Sequence, residues 1–319
     1  MSDTALLTSI LERRLTLHQL RIFKTVVDLA GFTRAAEALS LSQSAVTHQV
    51  QALSRSLGYP LFQPGRRGIE LTEVGSALHE RAGRILALVR ETSDALDEIA
   101  GLRRGLVRIA ADTTVGIYVL PDAMAAFRKL HPGVELSLEV VNRKRVRELL
   151  LAGDADLGVA GRLWDDDLLQ ADPFLDNELA CFCAPDHPLV KRQPIEPADL
   201  LAGPLLLREV GSGTRESAEA ILLEHGVEPR PAMQLASNGA LKRAVAKGLG
   251  VTILSIYAVR LELQLGHLHT LQVRGFPVRR VWHVVWARER ILGAAAQAFH
   301  QHLLTQEWRS DLKVALSSE

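Results

Sequence analysis

Between Leu17 and Gly58 three helical patterns follow one another with almost no chain between them. Leu17, Leu20, Phe23, Val27 and Ala30 recur at helical spacing, so Leu17–Ala30 reads as an amphipathic helix with Gly31 placed to end it. Thr33 is positioned to cap a short second helix, Arg34–Leu39, whose packing face carries only Ala35 and Ala36. Side chains that small let another helix approach closely. Ser40-Leu41-Ser42 leaves a three-residue turn, with Ser42 as N-cap of a third helix, Gln43–Leu57. That helix buries Val46, Val50, Leu53 and Leu57, turns Gln43, Ser44, Thr47, His48 and Gln51 outward, and stops at Gly58. Two helices locked by a tight turn, the second with a polar N-terminal face, make a helix-turn-helix. Leu61-Phe62, the stretch Pro64-Gly65-Arg66-Arg67-Gly68 and the strand Ile69–Leu71 add a hairpin wing with two cations at its tip.

Charge agrees with this once its distribution is considered. The chain has 319 residues with 37 Lys and Arg against 37 Asp and Glu, a balance that by itself opposes a nucleic-acid partner. Residues 13–84, however, hold 10 basic and 5 acidic side chains. A cation excess there suits a surface that neutralises duplex phosphates. Gln43, Thr47, His48 and Gln51 are placed to meet base edges, since a Gln amide pairs with adenine and a Thr methyl with thymine. Arg34, Ser42, Ser44, Arg66 and Arg67 suit phosphates, which position the protein without specifying sequence.

The stretch GFTRAAEALSLSQSAVTHQVQALSRSLGYPLFQPGRRGIELTEVG resembles the N-terminal region of LysR-type transcriptional regulators over about 60 residues, with helix lengths and turns in register. Three positions depart from the family pattern. His48 stands where Arg is usual, Ser54 where Glu is usual, and Pro64 where a wing Arg is common. An imidazole reaches less far than a guanidinium, and Pro64 shifts the wing contacts toward Arg66 and Arg67. The resemblance implies double-stranded DNA as partner, and two recognition helices on a symmetric dimer predict inverted-repeat half-sites. It leaves residues 1–15 as an N-terminal extension and residues 16–73 as the DNA-binding domain.

From Glu73 to Arg103 no Pro interrupts the chain, so residues 74–104 read as one linker helix roughly 45 Å long. Leu71, Leu78, Ile85, Thr92 and Ile99 repeat every seven residues, as do Gly75, Ala82, Val89 and Leu96 four residues on. This seam calls for a partner helix. A homodimer through the linker is expected, and the resemblance implies further assembly into tetramers.

Residues 105–319 alternate apolar runs with helical stretches, the pattern of an α/β domain. The expected strands are Gly105–Ala111, Leu136–Val141, Ala155–Ala160, Leu179–Ala184, Leu205–Leu207, Val251–Leu254, Leu268–Val273 and Val281–Ala287. The resemblance implies a two-lobed effector-binding domain like type II periplasmic binding proteins. One lobe spans 105–177 and 281–310 and the other 178–280, joined near Asp176-Asn177 and Phe276-Pro277. In such a fold a ligand sits between the lobes, at the carboxyl ends of strands. Thr113, Thr114, Asn142, Arg143 and Arg162 follow strands of one lobe. Ser212, Gly213, Thr214, Arg215 and Asn238 sit at helix starts of the other. Backbone N–H groups, hydroxyls and guanidiniums together suit a small anionic metabolite. The same segments resemble the branch of the family that regulates carbon-fixation genes, which implies a phosphorylated sugar or related metabolite. Ser255 stands where the family usually has Pro.

Competing readings are weaker. No nucleophile, base and orienting group fall in a catalytic order, so no enzyme and no cofactor are expected. His267 and His269 share a strand face without a third metal ligand, and Asp165-Asp166-Asp167 reads as a solvated loop. Cys181 and Cys183 flank Phe182, so both face one side of a strand, as core thiols or as a redox sensor. A solute-binding protein would share the two lobes, but the helix-turn-helix and the absence of a signal-peptide pattern oppose it. Two cysteines and no run of 18 apolar residues point to a reducing compartment without a membrane span, the cytoplasm.

Overall fold

The computed structural model describes residues 15–63, 69–99, 105–192, 194–305 and 307–312. Packing divides the chain into two units, residues 1–96 with Leu151–Asp154, and Asp97–Leu150 with Ala155–Glu319. Residues 1–14, most of the expected extension, lie outside the described residues.

The first unit holds helices α1 (Leu17–Asp28), α2 (Phe32–Leu39), α3 (Gln43–Leu57) and α4, which continues to Ile99 from Glu73. Thr16 opens α1 with a reciprocal pair of bonds, accepting from the Gln19 N–H at 3.2 Å while the Gln19 side chain accepts from the Thr16 N–H. Two expectations at the first turn need correction. Gly31 does not supply the left-handed residue; Ala30 does, at φ 45°. Thr33 is not a cap, because α2 starts two residues earlier than expected, at Phe32, with Gly31 in the cap position. The reason lies in the hydrogen bonds. Ala30 N–H donates to Val27 O and Gly31 N–H to Val26 O, which closes α1 with a Schellman motif one residue ahead of the glycine. The second turn repeats this device, with Ser40 at φ 54° and the Leu41 N–H donating to Ala36 O. Ile22, Val26, Ala35, Ala36, Val46 and Val50 form the core between the three helices.

An antiparallel bridge between Phe62 and Leu71 closes the base of the wing, where the Gln63 N–H donates to Glu70 O. The Phe62 ring lies 5.7 Å from both Phe23 and Phe32, so the base is anchored to the helices. Residues 64–68, with Arg66 and Arg67, lie outside the described residues.

The start of α4 is committed to its own unit. Thr72 caps it through the Gly75 N–H, and Gly75 is required there because a Cβ would sit 2.1 Å from Leu61 O. Leu71 and Leu78 pack on Phe23, Leu53 and Leu61, and Ala82 is buried. The expected seam therefore does not begin at Leu71. What stays exposed is a shorter stripe of Ile85, Leu88, Val89 and Leu96. Leu88, absent from both seven-residue series, belongs to it. The Ile99 side chain lies outside the described residues.

The second unit is built on one sheet. Its strands among the described residues are β1 (Gly105–Asp112), β2 (Val134–Val141), β3 (Leu157–Ala160), β4 (Leu169–Cys183), β5 (Leu205–Arg208), β6 (Met233–Leu235), β7 (Val251–Ser255), β8 (His269–Leu271) and β9 (Val278–Ala287). Their order is β2-β1-β3-β9-β4-β7-β5-β6, with β8 beside β4. Helices α5 (Thr113–Tyr118), α6 (Leu120–Leu130), α7 (Arg143–Ala152), α8 (Gly213–Glu224), α9 (Asn238–Ala246), α10 (Ile256–Gln264) and α11 (Ala294–Leu304) cover it. β1 pairs in parallel with β2 and β3, and β5 in parallel with β6 and β7, which makes two α/β lobes. β4 and β9 run antiparallel from Leu169–Ala287 to Leu179–Val278 and pass through both lobes. The crossings lie on these paired strands, where Asp176 and Asn177 face Val281 and Arg280.

Period-two burial explains each lobe's layers. Val107, Ile109 and Ala111 face Phe127 and Phe299, while Ala110 faces Val146 and Leu150. Cys181 and Cys183 join Leu205, Leu207 and Ile253 on one face, and Phe182 joins Leu206 and Leu254 on the other. Both thiols are free and buried. Burial pushes Cys181 well above its ordinary pKa and Cys183 up to about 12. A raised pKa disfavours the thiolate that redox sensing needs, in keeping with a place in the core.

Candidate functional site

Two surfaces carry chemistry. The first is the outer face of α3. Ser42 accepts from the Ala45 N–H at 3.2 Å and its hydroxyl lies 3.0 Å from that of Ser44. Val46, Val50 and Leu53 fix the helix from below, so Gln43, Ser44, His48 and Gln51 are left exposed in two rows four residues apart. Thr47, between them, donates its hydroxyl to Gln43 O at 2.9 Å and turns its methyl free of that bond. Arg34 reaches back to Ala30 O at 2.6 Å, so its guanidinium braces the turn below α3. The face carries no Asp, Glu, Lys or Arg and is rich in donors and acceptors, which is what base edges require.

The second surface is the cleft between the two lobes of the α/β unit. Strand ends build it. β1 ends at Asp112, β3 runs into Gly161 and β5 ends at Arg208. The cavity there is about 30 Å³. Of the residues expected from the sequence, Thr113, Thr114, Asn142, Arg143, Ser212, Gly213 and Thr214 line it. Asn142 caps α7 by accepting from the Arg145 N–H at 2.9 Å. Arg143 is held by Arg162 O and Leu163 O and lies over the Trp164 ring.

Ser237 and Asn238 both stand where a cap of α9 is expected. The cap is Ser237, which accepts from the Ala240 N–H at 3.1 Å. Asn238 is instead buried, 2 % exposed, and links the lobes: its side chain accepts from Arg208 and donates to the Thr114 hydroxyl at 3.3 Å. Arg162 and Arg215 do not line the cavity. Arg162 is exposed, 3.7 Å from Glu216, and Arg215 turns along α8 to Glu219 at 2.7 Å. Asp166, expected in a solvated loop, is paired with Arg147 at 2.8 Å.

The sequence reading missed three charged groups in the cleft. Arg208 is 2 % exposed and forms two bonds to Glu209, at 2.8 and 2.9 Å. Arg280 donates to Gly213 O and Gly161 O, both at 3.2 Å, and so ties one lobe to the other. Asp112 accepts from the Gly161 N–H at 3.0 Å. A charged residue ending or interrupting an apolar strand run was the available signal for all three. Among the described residues no group of three or more His, Cys, Asp and Glu is placed to hold a metal ion.

A helix-turn-helix followed by this two-lobed unit narrows the family, and two family models agree. The bacterial regulatory helix-turn-helix protein, lysR family, matches residues 17–76. The LysR substrate binding domain matches residues 100–308. The chain belongs to the LysR family of transcription regulators. It is 38% identical to the RuBisCO operon transcriptional regulator of Allochromatium vinosum over 92% of this chain and 97% of that one. It is 35% identical to the HTH-type transcriptional activator CmpR of Synechocystis over 92% and 96%. Among solved structures, the Synechocystis CcmR regulatory domain in complex with 2-PG is 32% identical, with a TM-score of 0.60 over 63% of this chain and 96% of that one. Full-length CbnR complexed with its target DNA shares the fold, at a TM-score of 0.65, 23% identity and coverage of 91% and 99%. As a LysR-family protein the chain is a DNA-binding regulator and not an enzyme. No helix of the described residues is long and apolar enough to cross a membrane.

Proposed function

We propose that this LysR-family regulator binds promoter DNA through the outer face of α3, under the control of a small phosphorylated anion held between its lobes. The observation that carries the second half is the convergence of Arg143, Arg208 and Arg280 with the starts of α7 and α8 at the carboxyl ends of β1, β3 and β5. Cations and free backbone N–H groups together favour a phosphate. The ligand reported with the CcmR regulatory domain, 2-phosphoglycolate, belongs to that chemical class. In this reading Thr113, Thr114, Asn142, Arg143, Ser212, Gly213 and Thr214 contact the anion together with Arg208 and Arg280. Asn238 positions Thr114, while Arg162 and Arg215 act from outside.

A cavity of about 30 Å³ is too small for a phosphate ester. The lobes therefore part to admit the ligand, breaking the Arg280 and Asn238 bridges, and the ligand takes over their role in joining the lobes. A ligand that binds one arrangement better than the other shifts the population between them. With full-length protein, 2-phosphoglycolate at about 100 times its Kd is expected to stabilise the α/β unit by about 2.7 kcal/mol, seen as a raised melting temperature. The same concentration should alter the gel shift of the protein's promoter, and Arg280→Gln should abolish both effects. No melting shift with 2-phosphoglycolate or any sugar phosphate would refute the reading.

The exposed stripe on α4 supports a homodimer, with the linker helices paired and tetramers formed from dimers. Leu88, 63 % exposed, is at its centre. Leu88→Glu is expected to give a monomer at micromolar concentration in analytical ultracentrifugation, with the melting temperature of the monomer units unchanged. A sedimentation pattern identical to that of the wild type would show that the stripe is not the interface. In the same reading a regulator of promoter DNA works beside the chromosome, in the cytoplasm.

A further inference from the structure

Asp112 ends β1 on the wall of the cleft. Its two oxygens are in different states. Oδ2 accepts from the Gly161 N–H at 3.0 Å. Oδ1 is closed to solvent and has no hydrogen-bond partner. The charged groups around it come from every neighbouring element: Arg143 at the start of α7, Arg280 on β9, Glu216 in the first turn of α8, and Arg208 and Glu209 at the end of β5. Arg280 donates to Gly213 O and Gly161 O, Arg143 to Arg162 O and Leu163 O, and Arg208 to Glu209 and Asn238. None of these groups donates to Oδ1. A buried carboxylate oxygen without a donor is costly, and a cavity on the same wall is where a donor can enter.

We propose that Asp112 sets the specificity of the cleft by accepting a hydrogen bond from a hydroxyl of the ligand, so that the site binds hydroxylated phosphate esters more tightly than esters without a hydroxyl, 2-phosphoglycolate among them. This rests on the cleft being the anion site. The arginines and helix starts attract the phosphate of any ester alike. A second anionic oxygen placed against Asp112 is repelled, whereas a hydroxyl there satisfies Oδ1.

The Gly161 N–H makes the idea testable, because it fixes which end of the group must accept. In Asp112→Asn the amide oxygen stays on Gly161 and the NH₂ takes the place of Oδ1, which turns an acceptor into a donor. Protonation has the same effect, since with Oδ2 held the proton resides on Oδ1. Burial raises the pKa of the carboxyl to about 6, against the pull of the Gly161 N–H, Arg143 and Arg280. The sign follows: the acceptor state prevails above that value and the donor state below it.

Calorimetric titration of the full-length protein with 3-phosphoglycerate and with its 2-deoxy analogue, which lacks only the hydroxyl, tests this. At about pH 8 the wild type should bind the hydroxylated ester ~10-fold or more tightly, the scale of one charge-assisted hydrogen bond. Asp112→Asn should bring the two within about twofold, and so should the wild type at about pH 5, below the pKa of Asp112. Both esters carry the same phosphate, so its own titration cancels in the ratio. Equal binding of the two by the wild type at the higher pH would overturn the role of Asp112 and leave a bound water as the donor to Oδ1. A preference that survives both the substitution and the lower pH would also overturn it. If the variant does not fold, the comparison of pH values in the wild type decides. Failure of both esters to bind at any pH would instead refute the anion reading of the cleft itself.

Discussion

Gln43→Glu is expected to lower operator affinity by at least ~100-fold while leaving the thermal stability of the DNA-binding unit unchanged or slightly raised. The two effects have opposite signs for one reason. Gln43 is the first residue of α3, exposed, and next to the Ser42 cap. A carboxylate at a helix N-terminus interacts favourably with the helix dipole by about 0.3–1 kcal/mol. Against DNA the same carboxylate faces a phosphate lattice, loses the amide's donor to a base edge, and leaves its partner group unpaired. One good bidentate base contact is worth about 1–3 kcal/mol, and the added repulsion comes on top of that. Gln43→Ala, which removes the contact without adding charge, should cost only ~10-fold. Binding titrations at one fixed salt concentration, alongside a melting curve, check both. Affinity of the Glu variant within threefold of wild type would mean that the outer face of α3 does not meet DNA.

The second large effect belongs to the α/β unit. Arg208→Met should destabilise it by about 2–4 kcal/mol, a fall in its melting temperature of roughly 5–15 °C. Arg208 is almost fully buried, and its charge is balanced by the two bonds to Glu209. Removing the cation leaves the Glu209 carboxylate half-exposed with no counter-charge and strips Asn238 of its donor in a buried place. Breaking a buried ion pair from one side is costly for that reason, even when the intact pair contributes little. The partial exposure of Glu209 keeps the loss below the upper end of the usual range. A consequence follows across the cleft. With its oxygen unpaired, Asn238 has no reason to keep its NH₂ on Thr114, so a bridge between the lobes is lost together with a cation of the anion site. Ligand affinity should fall ~100-fold in the same variant. Differential scanning calorimetry resolves the stability effect from the DNA-binding unit, and an unchanged transition would show that Arg208 is not the anchor described.

Most of the DNA-binding unit was legible in the sequence because its determinants are local. Helix spacing, the Ser42 cap and Gly58 fix α3 within a few residues of chain, and the outward face is what burial of Val46, Val50 and Leu53 leaves over. The error at Gly31 arose where two residues competed for one conformation. Glycine is the usual choice for a left-handed position, yet the Schellman bonds fall on Ala30. In the α/β unit the apolar strands were legible. The first half of β4 was not, because Asp172, Pro173, Asp176 and Asn177 interrupt its apolar pattern and it forms a ribbon with β9. α5 and α10 were missed because each begins directly at the end of a strand, with no connecting loop to mark the change.

The amino-acid order by itself determined the helix-turn-helix, the long linker helix, the alternation of strands and helices, and the concentration of hydroxyls and glycines at strand ends. It did not determine what meets in the cleft. Asp112, Arg208 and Arg280 are far apart in the chain and converge because the sheet order sets β3 beside β9, β9 beside β4, and β7 between β4 and β5. Arg162 and Arg215 stand next to the right backbone but turn to other partners, since a side chain's direction depends on what packs around it. The seam of α4 shows the same division. Its apolar period is written in the sequence, but only the packing of Leu71 and Leu78 onto their own unit decided which part remains free for a partner. Local spacing governs hydrogen bonds a few residues apart, whereas the balance of charge in a buried cleft is set by contacts that exist only once the sheet has formed.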